Sequence, residues 1–301
     1  MSVEDVVANV KNSVVEITTE TVLTGRYMGQ YVSTGAGSGI IISTNGYIIT
    51  NNHVVEDANT ITVRLSNGKE YPATLIGTDA KTDVAVIKIN ADDLQPAILG
   101  YSSDLLVGQT AVAIGNPLGE LGGTVTTGII SALDREITID GETMSLLQTD
   151  AAINPGNSGG GLFNLYGELV GIVNAKSSGS EIEGLGFAIP IDAVKTAIEQ
   201  LIEYGYVRGR IDTGLTLVDI QNSQTAMSYR VQTLGLYISA SVNSGFQSGD
   251  RITAVDGQAI SSLSDFNKQM NNYAVGDTIG ITVVRNGSSI TVSLTLTELR
   301  G

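Results

Sequence analysis

Short runs of Val, Ile and Thr recur from one end of the chain to the other, at residues 61–65, 84–89, 251–255 and 278–284 among others. Gly, Asn and Asp break them up. β-branched runs of this length between turn formers leave little room for anything but a mostly β architecture. Glycine supplies much of the punctuation, with 36 residues in a chain of 301. Asn67-Gly68 predicts a hairpin between residues 61–65 and 69–76, and Asn286-Gly287 predicts another, because Asn-Gly tolerates the positive φ that tight hairpin turns use.

Helices are few. Val3, Val6, Val7 and Val10 stand at helical spacing behind Ser2, a potential cap, so residues 3–12 read as an amphipathic helix. Residues 13–21 alternate as a strand, and 24–33, polar and carrying Tyr27 and Tyr31, read as a loop. Thr34-Gly35-Ala36-Gly37-Ser38-Gly39 lacks the glycine spacing of a dinucleotide loop and leads into a strand rather than a helix. After Pro190, Val194, Ala197, Ile198 and Leu201 fall at i, i+3, i+4 and i+7, and Gly205 stops the helix. The domain boundary is expected there, giving units 1–205 and 206–301. The second unit has strand patterns at 213–220, 235–242, 251–255, 278–284 and 289–297, with helices at 223–231 and 262–271. A small α+β domain follows from that mixture.

Composition excludes several classes of function. The net charge is −15, without a basic cluster, which argues against nucleic acid as a partner. With no cysteine there is neither a disulfide nor thiol chemistry, and a single histidine leaves too few ligands for a structural zinc site. No metal or other cofactor is expected. No run of 18 apolar residues occurs, and the start, Met1-Ser2-Val3-Glu4-Asp5, is acidic at once, unlike a secretory signal. The protein is therefore expected to be either cytoplasmic or separated from a targeting segment.

Asn154-Pro155-Gly156-Asn157-Ser158-Gly159-Gly160-Gly161-Leu162 sets one serine among glycines. Glycine permits positive φ and close backbone approach, so the hydroxyl is exposed beside free N–H groups, as acyl transfer requires. A polar surface turn explains the same residues equally well when the stretch is taken alone. In an α/β-hydrolase the histidine follows the serine. Here the one histidine, His53, precedes it, so a Ser-His hydrolase would have to run histidine first. Four aspartates are candidates to orient His53: Asp79 in a polar turn, Asp83 at the head of the apolar run 84–89, and Asp92 and Asp93 as a solvated pair.

Together these residues carry a family resemblance. Thr50-Asn51-Asn52-His53-Val54-Val55, Thr82-Asp83-Val84-Ala85-Val86 and Gly156-Asn157-Ser158-Gly159-Gly160 resemble the three triad motifs of the HtrA (Deg) serine proteases, at separations of 30 and 75 residues. Gly184-Leu185-Gly186-Phe187-Ala188-Ile189-Pro190 is similar to that family's substrate-binding strand. The second unit resembles its PDZ domain, notably at Gly249-Asp250-Arg251-Ile252 and Val255-Asp256-Gly257. Gly161 departs from the pattern, standing where the family often has proline.

The resemblance implies a chymotrypsin-like pair of β-barrels followed by a PDZ domain. It implies catalysis by His53, Asp83 and Ser158, with an oxyanion hole at Gly156, Asn157 and Ser158. Ala152, six positions before the serine, would lie at the pocket floor, with Gly186, Phe187 and Ala188 binding substrate. With no carboxylate at Ala152, cleavage after small or medium aliphatic residues is expected. Asn157 replaces the aspartate that zymogen-activated relatives pair with a new N-terminus, so activation is expected from loops 116–123, 150–156 and 177–183. Thr213, Gly214, Leu215, Thr216 and Leu217 align with the PDZ carboxylate loop. Expected partners are unfolded proteins and C-terminal peptides, in a homotrimer or a multiple of trimers. The family further implies an extracytoplasmic location with a membrane anchor outside this chain. Two rival readings stand beside it: a peptide-binding holdase with an idle site, and an esterase using the same serine.

Overall fold

The computed structural model describes residues 1–25, 29–115, 124–139, 141–154, 156–177 and 185–300. They fall into two units, one of Met1–Ile137 with Met144–Tyr206, the other of Val207–Arg300 with Thr138–Thr143.

The first unit opens with helix α1 (Val3–Val10), closed by a reciprocal capping box between Ser2 and Asp5 and anchored by buried Val6 and Val10. Seven strands follow: β1 (Val14–Gly25), β2 (Gly29–Ile41), β3 (Tyr47–Thr50), β4 (Thr60–Arg64), β5 (Glu70–Pro72), β6 (Thr74–Asp79) and β7 (Val84–Lys88). They pair in the order β5-β4-β1-β2-β3-β7-β6 around a core that includes Val15, Ile17, Ile41, Ile48, Val63 and Ile87. The Asn67-Gly68 hairpin forms as expected, but its second arm divides at Ala73. β5 pairs with β4, whereas β6 pairs with β7.

The second sheet holds β8 (Ile98–Leu99), β9 (Thr110–Gly115), β10 (Thr124–Ile139), β11 (Glu142–Thr149), β12 (Gly161–Phe163), β13 (Glu168–Val173) and β14 (Gly186–Pro190). Its order is β12-β9-β10-β11-β14-β13-β8, and an extra β12–β13 pairing closes six strands into a barrel. Leu147, Leu162, Val170, Val173 and Ala188 fill its interior. Helix α3 (Ile191–Tyr204) then buries Ile191, Val194, Ala197, Ile198 and Leu201 and ends at Gly205. Among the described residues no helix is long and apolar enough to cross a membrane.

One expectation is corrected. Residues 24–33 are not a loop: the described part continues β1 and β2 as one hairpin, in register from Val14↔Ile40 to Gly25↔Gly29. Residues 31–36 are exposed whatever face they occupy, so no alternation of apolar and polar residues marks the strand.

Asp192 ties the start of α3 to the preceding chain. Its carboxylate accepts from Lys195 Nζ (2.8 Å), the Ser103 N–H (2.9 Å) and the Ser102 hydroxyl (3.1 Å). Burial raises its pKa, but these donors together outweigh burial and hold it at about 2. A depressed folded pKa stabilises the fold above the unfolded value of about 3.9, and that stabilisation fades as pH falls toward the folded one. Urea midpoints of the wild type should therefore drop more steeply between pH 4 and 2 than those of Asp192→Asn. Parallel slopes would contradict the assignment.

The second unit contains β15 (Ile211–Asp212), β16 (Leu215–Ile220), α4 (Ser223–Tyr229), β17 (Gly235–Ser241), β18 (Arg251–Val255), β19 (Gln258–Ala259), α5 (Leu263–Met270), β20 (Thr278–Arg285), β21 (Ser288–Thr295) and β22 (Thr297–Glu298). Its main sheet runs β16-β17-β18-β20-β21 over a core of Leu236, Ile238, Phe246, Phe266 and Ile281. Ser262 caps α5 by accepting from the Asp265 N–H, as the sequence predicts. Asp250, nearly fully buried, accepts from Arg285 Nε (2.7 Å) and a terminal guanidinium nitrogen (2.6 Å). Hydrogen bonding by Arg285 is the main cause that holds the Asp250 carboxyl below its usual range.

Candidate active site

His53 and Asp83 meet where β3 ends and β7 begins. β3 runs into the single helical turn α2 (Asn52–Val55), so His53 leaves the sheet instead of extending it. Asp83, just before β7, has φ +51°, a left-handed conformation unusual for a side chain larger than glycine's. Its carbonyl is held by the Asn52 N–H (3.1 Å) and Asn51 Nδ2 (3.1 Å), which offset the strain. The carboxylate then points at the imidazole. Oδ2 lies 2.7 Å from His53 Nδ1, and Oδ1 accepts from the His53 N–H at 3.0 Å.

The other aspartates stand elsewhere. Asp79, expected in a polar turn, is buried at the end of β6 and accepts from Thr82 Oγ1 (2.6 Å). Asp92 and Asp93 are exposed.

A second donor to Asp83 went unseen in the sequence. Asn174, fully buried just after β13, donates from Nδ2 to Asp83 Oδ2 at 2.9 Å. The only local signal was a polar residue closing an apolar run.

The serine loop is pinned from both sides. The Ser38 N–H donates to the Ser158 carbonyl (2.8 Å), and the Ser38 hydroxyl to the Gly156 carbonyl (2.7 Å). Gly160 N–H donates to the Asn157 carbonyl (2.9 Å), which fixes the peptide that carries the Ser158 N–H. Among the described residues, the N–H groups of Gly156 and Ser158 donate to no carbonyl or side chain. Gly159 has φ +81°, and a Cβ there would stand 2.2 Å from both the Ser38 carbonyl oxygen and Thr50 Oγ1. Asn157 is buried beneath the loop, and neither side-chain amide atom has a hydrogen-bond partner among the described residues.

His53, Gly156 and Ser158 line one cleft of about 540 Å³, together with Thr19, Ser33–Ala36, Ala175 and Lys176. The Ser158 hydroxyl oxygen accepts from the Ala175 N–H at 3.2 Å. Among the described residues no hydrogen bond joins it to His53 Nε2.

Ala152 is exposed, and its carbonyl accepts from Thr126 Oγ1 (2.9 Å). Its neighbour Ile153 instead approaches Gly186, where a Cβ would lie 2.5 Å from Ile153 Cγ1. Phe187 and Ala188 lie in β14, a strand paired to β11 on one side and β13 on the other, with Ala188 fully buried. Ala175 and Lys176, just past the end of β13, line the cleft beside Ser158.

In the second unit, Leu215, Thr216 and Leu217 belong to β16 rather than to a loop, because Leu215 and Leu217 pack against the core. Thr213 and Gly214 form the turn before it. The Gly214 N–H donates to Asp212 Oδ1 (2.7 Å) and the Leu215 N–H to Thr213 Oγ1 (3.3 Å). β16 is an edge strand, paired among the described residues with β17 alone. Loop residues 116–123, Pro155 and residues 178–184 lie outside the described residues.

Comparison with known proteins agrees with this architecture. Residues 37–172 match the trypsin-like peptidase domain, and residues 220–296 the PDZ domain. The fold and site thus define a trypsin-like serine endopeptidase carrying a PDZ domain. The chain is 38% identical over 289 residues to the serine protease Do-like HtrA of Lactobacillus helveticus, covering 89% of this chain and 70% of that protein. It is 42% identical over 273 residues to the periplasmic serine endoprotease DegP of Salmonella typhimurium, covering 87% of this chain and 57% of that one. Among solved structures, the HtrA-type protease AlgW with decapeptide superposes with a TM-score of 0.64 at 32% identity, over 99% of each chain. The chain belongs to the HtrA family of serine proteases. It spans somewhat more than half the length of the DegP protein it matches.

Proposed function

We propose that this chain cuts unfolded proteins after small or medium aliphatic residues, with Ser158 as nucleophile, His53 as general base and Asp83 as its orienting group. The observation that carries this reading is the 2.7 Å contact between Asp83 Oδ2 and His53 Nδ1, with Ser158 across the same cleft. The carboxylate keeps the proton on Nδ1 and leaves Nε2 as the acceptor. Ser158 Oγ attacks the scissile carbonyl carbon while its proton passes to Nε2. The N–H groups of Gly156 and Ser158 receive the oxyanion. His53 then delivers the proton to the leaving amine, and water repeats the sequence to release the acyl group.

Asn174 is a positioning residue in this scheme. Asn174→Ala should lower kcat/KM by about 10- to 100-fold, the worth of one hydrogen bond to a buried charge. A full kinetic profile with unchanged far-UV circular dichroism checks it.

Ile153 against Gly186 supports an apolar specificity pocket without a carboxylate. Digestion of a disordered protein, with its fragments sequenced, should give cuts after Ala, Val, Ile or Leu. A map dominated by Lys and Arg overturns that specificity. The Ser158 hydroxyl, now turned to the Ala175 N–H, supports activation by loop reordering in place of zymogen cleavage. The open edge of β16 supports capture of C-terminal peptides by strand addition. Exposed Tyr101, Leu106, Val107 and Tyr166 on the first unit support assembly into trimers, which analytical ultracentrifugation tests. The name of the periplasmic DegP relative supports an extracytoplasmic site of action.

A further inference from the structure

We propose that β21, the outer strand of the second unit, pairs with β21 of a second copy of this chain, antiparallel and about a two-fold axis at Val292. The proposal concerns the second unit alone and is independent of the peptidase reading.

β21 ends the sheet order β16-β17-β18-β20-β21, and among the described residues it pairs with β20 alone. Leu296, just past its end, shows which backbone groups stay open. Its N–H donates to the Asp277 carbonyl (2.8 Å), and its carbonyl accepts from the Gly276 N–H (2.9 Å), so both turn to the β20 side. In an antiparallel pair the N–H and C=O of one residue share a direction that alternates with period two. Leu294, Val292 and Ile290 therefore bond to β20, whereas Thr295, Ser293, Thr291 and Ser289 turn their backbone groups outward. The facing strand agrees. Gly280, opposite Ser293, accepts at its carbonyl from the Asp256 N–H (2.8 Å), away from β21. All four outward residues are exposed.

Sheet edges are usually blunted by charge or proline. β21 reads Ser-Ser-Ile-Thr-Val-Ser-Leu-Thr and has neither, whereas β16 at the opposite edge carries Asp219. The unpaired N–H and C=O groups call for another strand, and the sequence fits its own copy. A single antiparallel register uses all four outward residues: Ser289 opposite the partner's Thr295, and Thr291 opposite the partner's Ser293. It forms about eight hydrogen bonds between copies, two for each facing pair. It also sets Val292 against the partner's Val292, and Ile290, 37% exposed, against the partner's Leu294. On the other face it widens a hydroxyl ladder already built from Thr278–Thr295 and Thr282–Thr291, each at 3.0 Å. Charge does not oppose the contact. Residues 207–300 hold seven basic and seven acidic side chains, so the whole negative excess lies in the first 206 residues. A two-fold contact uses the same strand on both copies and therefore stops at pairs.

The chain has no cysteine, so a thiol placed on this edge reports register without background. Val292 falls in a non-hydrogen-bonded pair, with Cα atoms about 4.5 Å apart and within reach of a disulfide. Under copper–phenanthroline, the full chain carrying Val292→Cys should become a covalent dimer. Ser289→Cys should not, because its counterpart lies roughly 20 Å away. In the ultracentrifuge the mass of the wild-type assembly should double as concentration rises. Thr291→Lys with Ser293→Lys sets lysine opposite lysine and should raise the dissociation constant at least about tenfold, as should Thr291→Glu with Ser293→Glu. Mixing these two variants sets lysine opposite glutamate and should restore pairing. A mass independent of concentration, equal cross-linking at 289 and 292, or a mixture no better than its components would overturn the proposal. So would a labelled unfolded polypeptide that abolishes the Val292→Cys cross-link and binds the wild type but not the lysine variant, since the edge would then hold substrate instead.

Discussion

Ser158→Ala is expected to lower kcat/KM on a disordered protein by about four to six orders of magnitude, leaving only the residual effect of binding and the oxyanion donors. The size of the loss follows from the geometry. His53 receives two hydrogen bonds' worth of positioning from Asp83, through its ring and through its backbone N–H. Without the Ser158 hydroxyl, the base has no proton to take. Asp83→Asn should cost about 10⁴-fold, because an amide facing Nδ1 favours the other tautomer. It should leave the fold intact, since Asn retains an acceptor for the His53 N–H. Circular dichroism and kinetics on the same samples separate chemistry from folding. Asp83→Asn with wild-type activity would remove Asp83 from the scheme.

The second large effect is at Gly159. An alanine there must adopt a left-handed φ, at about 1–2 kcal/mol, and press its Cβ on the Ser38 carbonyl oxygen and Thr50 Oγ1, both 2.2 Å away. Overpacking of this kind costs about 1–3 kcal/mol more. The same Ser38 backbone holds the Ser158 carbonyl, so the strain is relieved by moving the serine loop. Gly159→Ala should therefore lose about 3 kcal/mol of stability and at least about 100-fold in kcat/KM. Denaturant midpoints and steady-state rates measure the two losses. An alanine variant as stable and as active as the wild type would show that the loop tolerates a second conformation.

How much of this was legible in the sequence depended on whether the signal was local. Buried strands such as β7 and β13 announce themselves as apolar runs, and α3 by its i, i+3, i+4, i+7 spacing, because burial acts residue by residue. His53, Asp83 and Ser158 could be nominated because each lies at the edge of such a run or inside a glycine cluster. The outer part of the β1–β2 hairpin reads as a loop in the sequence, since Thr24, Gln30, Tyr31 and Ser33 are all exposed and carry no period. Asn174 was missed because its partner lies 91 residues away, and no local pattern encodes a distance of 2.9 Å. Phe187 and Ala188 were assigned to the cleft by resemblance. The pairing of β14 with β11 and β13, which buries Ala188, joins stretches tens of residues apart and carries no local signal. Asp79 looked solvated because its neighbours are polar, whereas the end of β6 carries it into the interior.

The most direct test of the central claim is reaction with a fluorophosphonate, followed by mass spectrometry of the digested protein. A single adduct on Ser158 is predicted, formed in step with loss of proteolysis and strongly reduced in His53→Ala. Continued cleavage of a disordered protein with Ser158 unmodified, or an adduct on another residue that abolishes cleavage, would contradict the assignment.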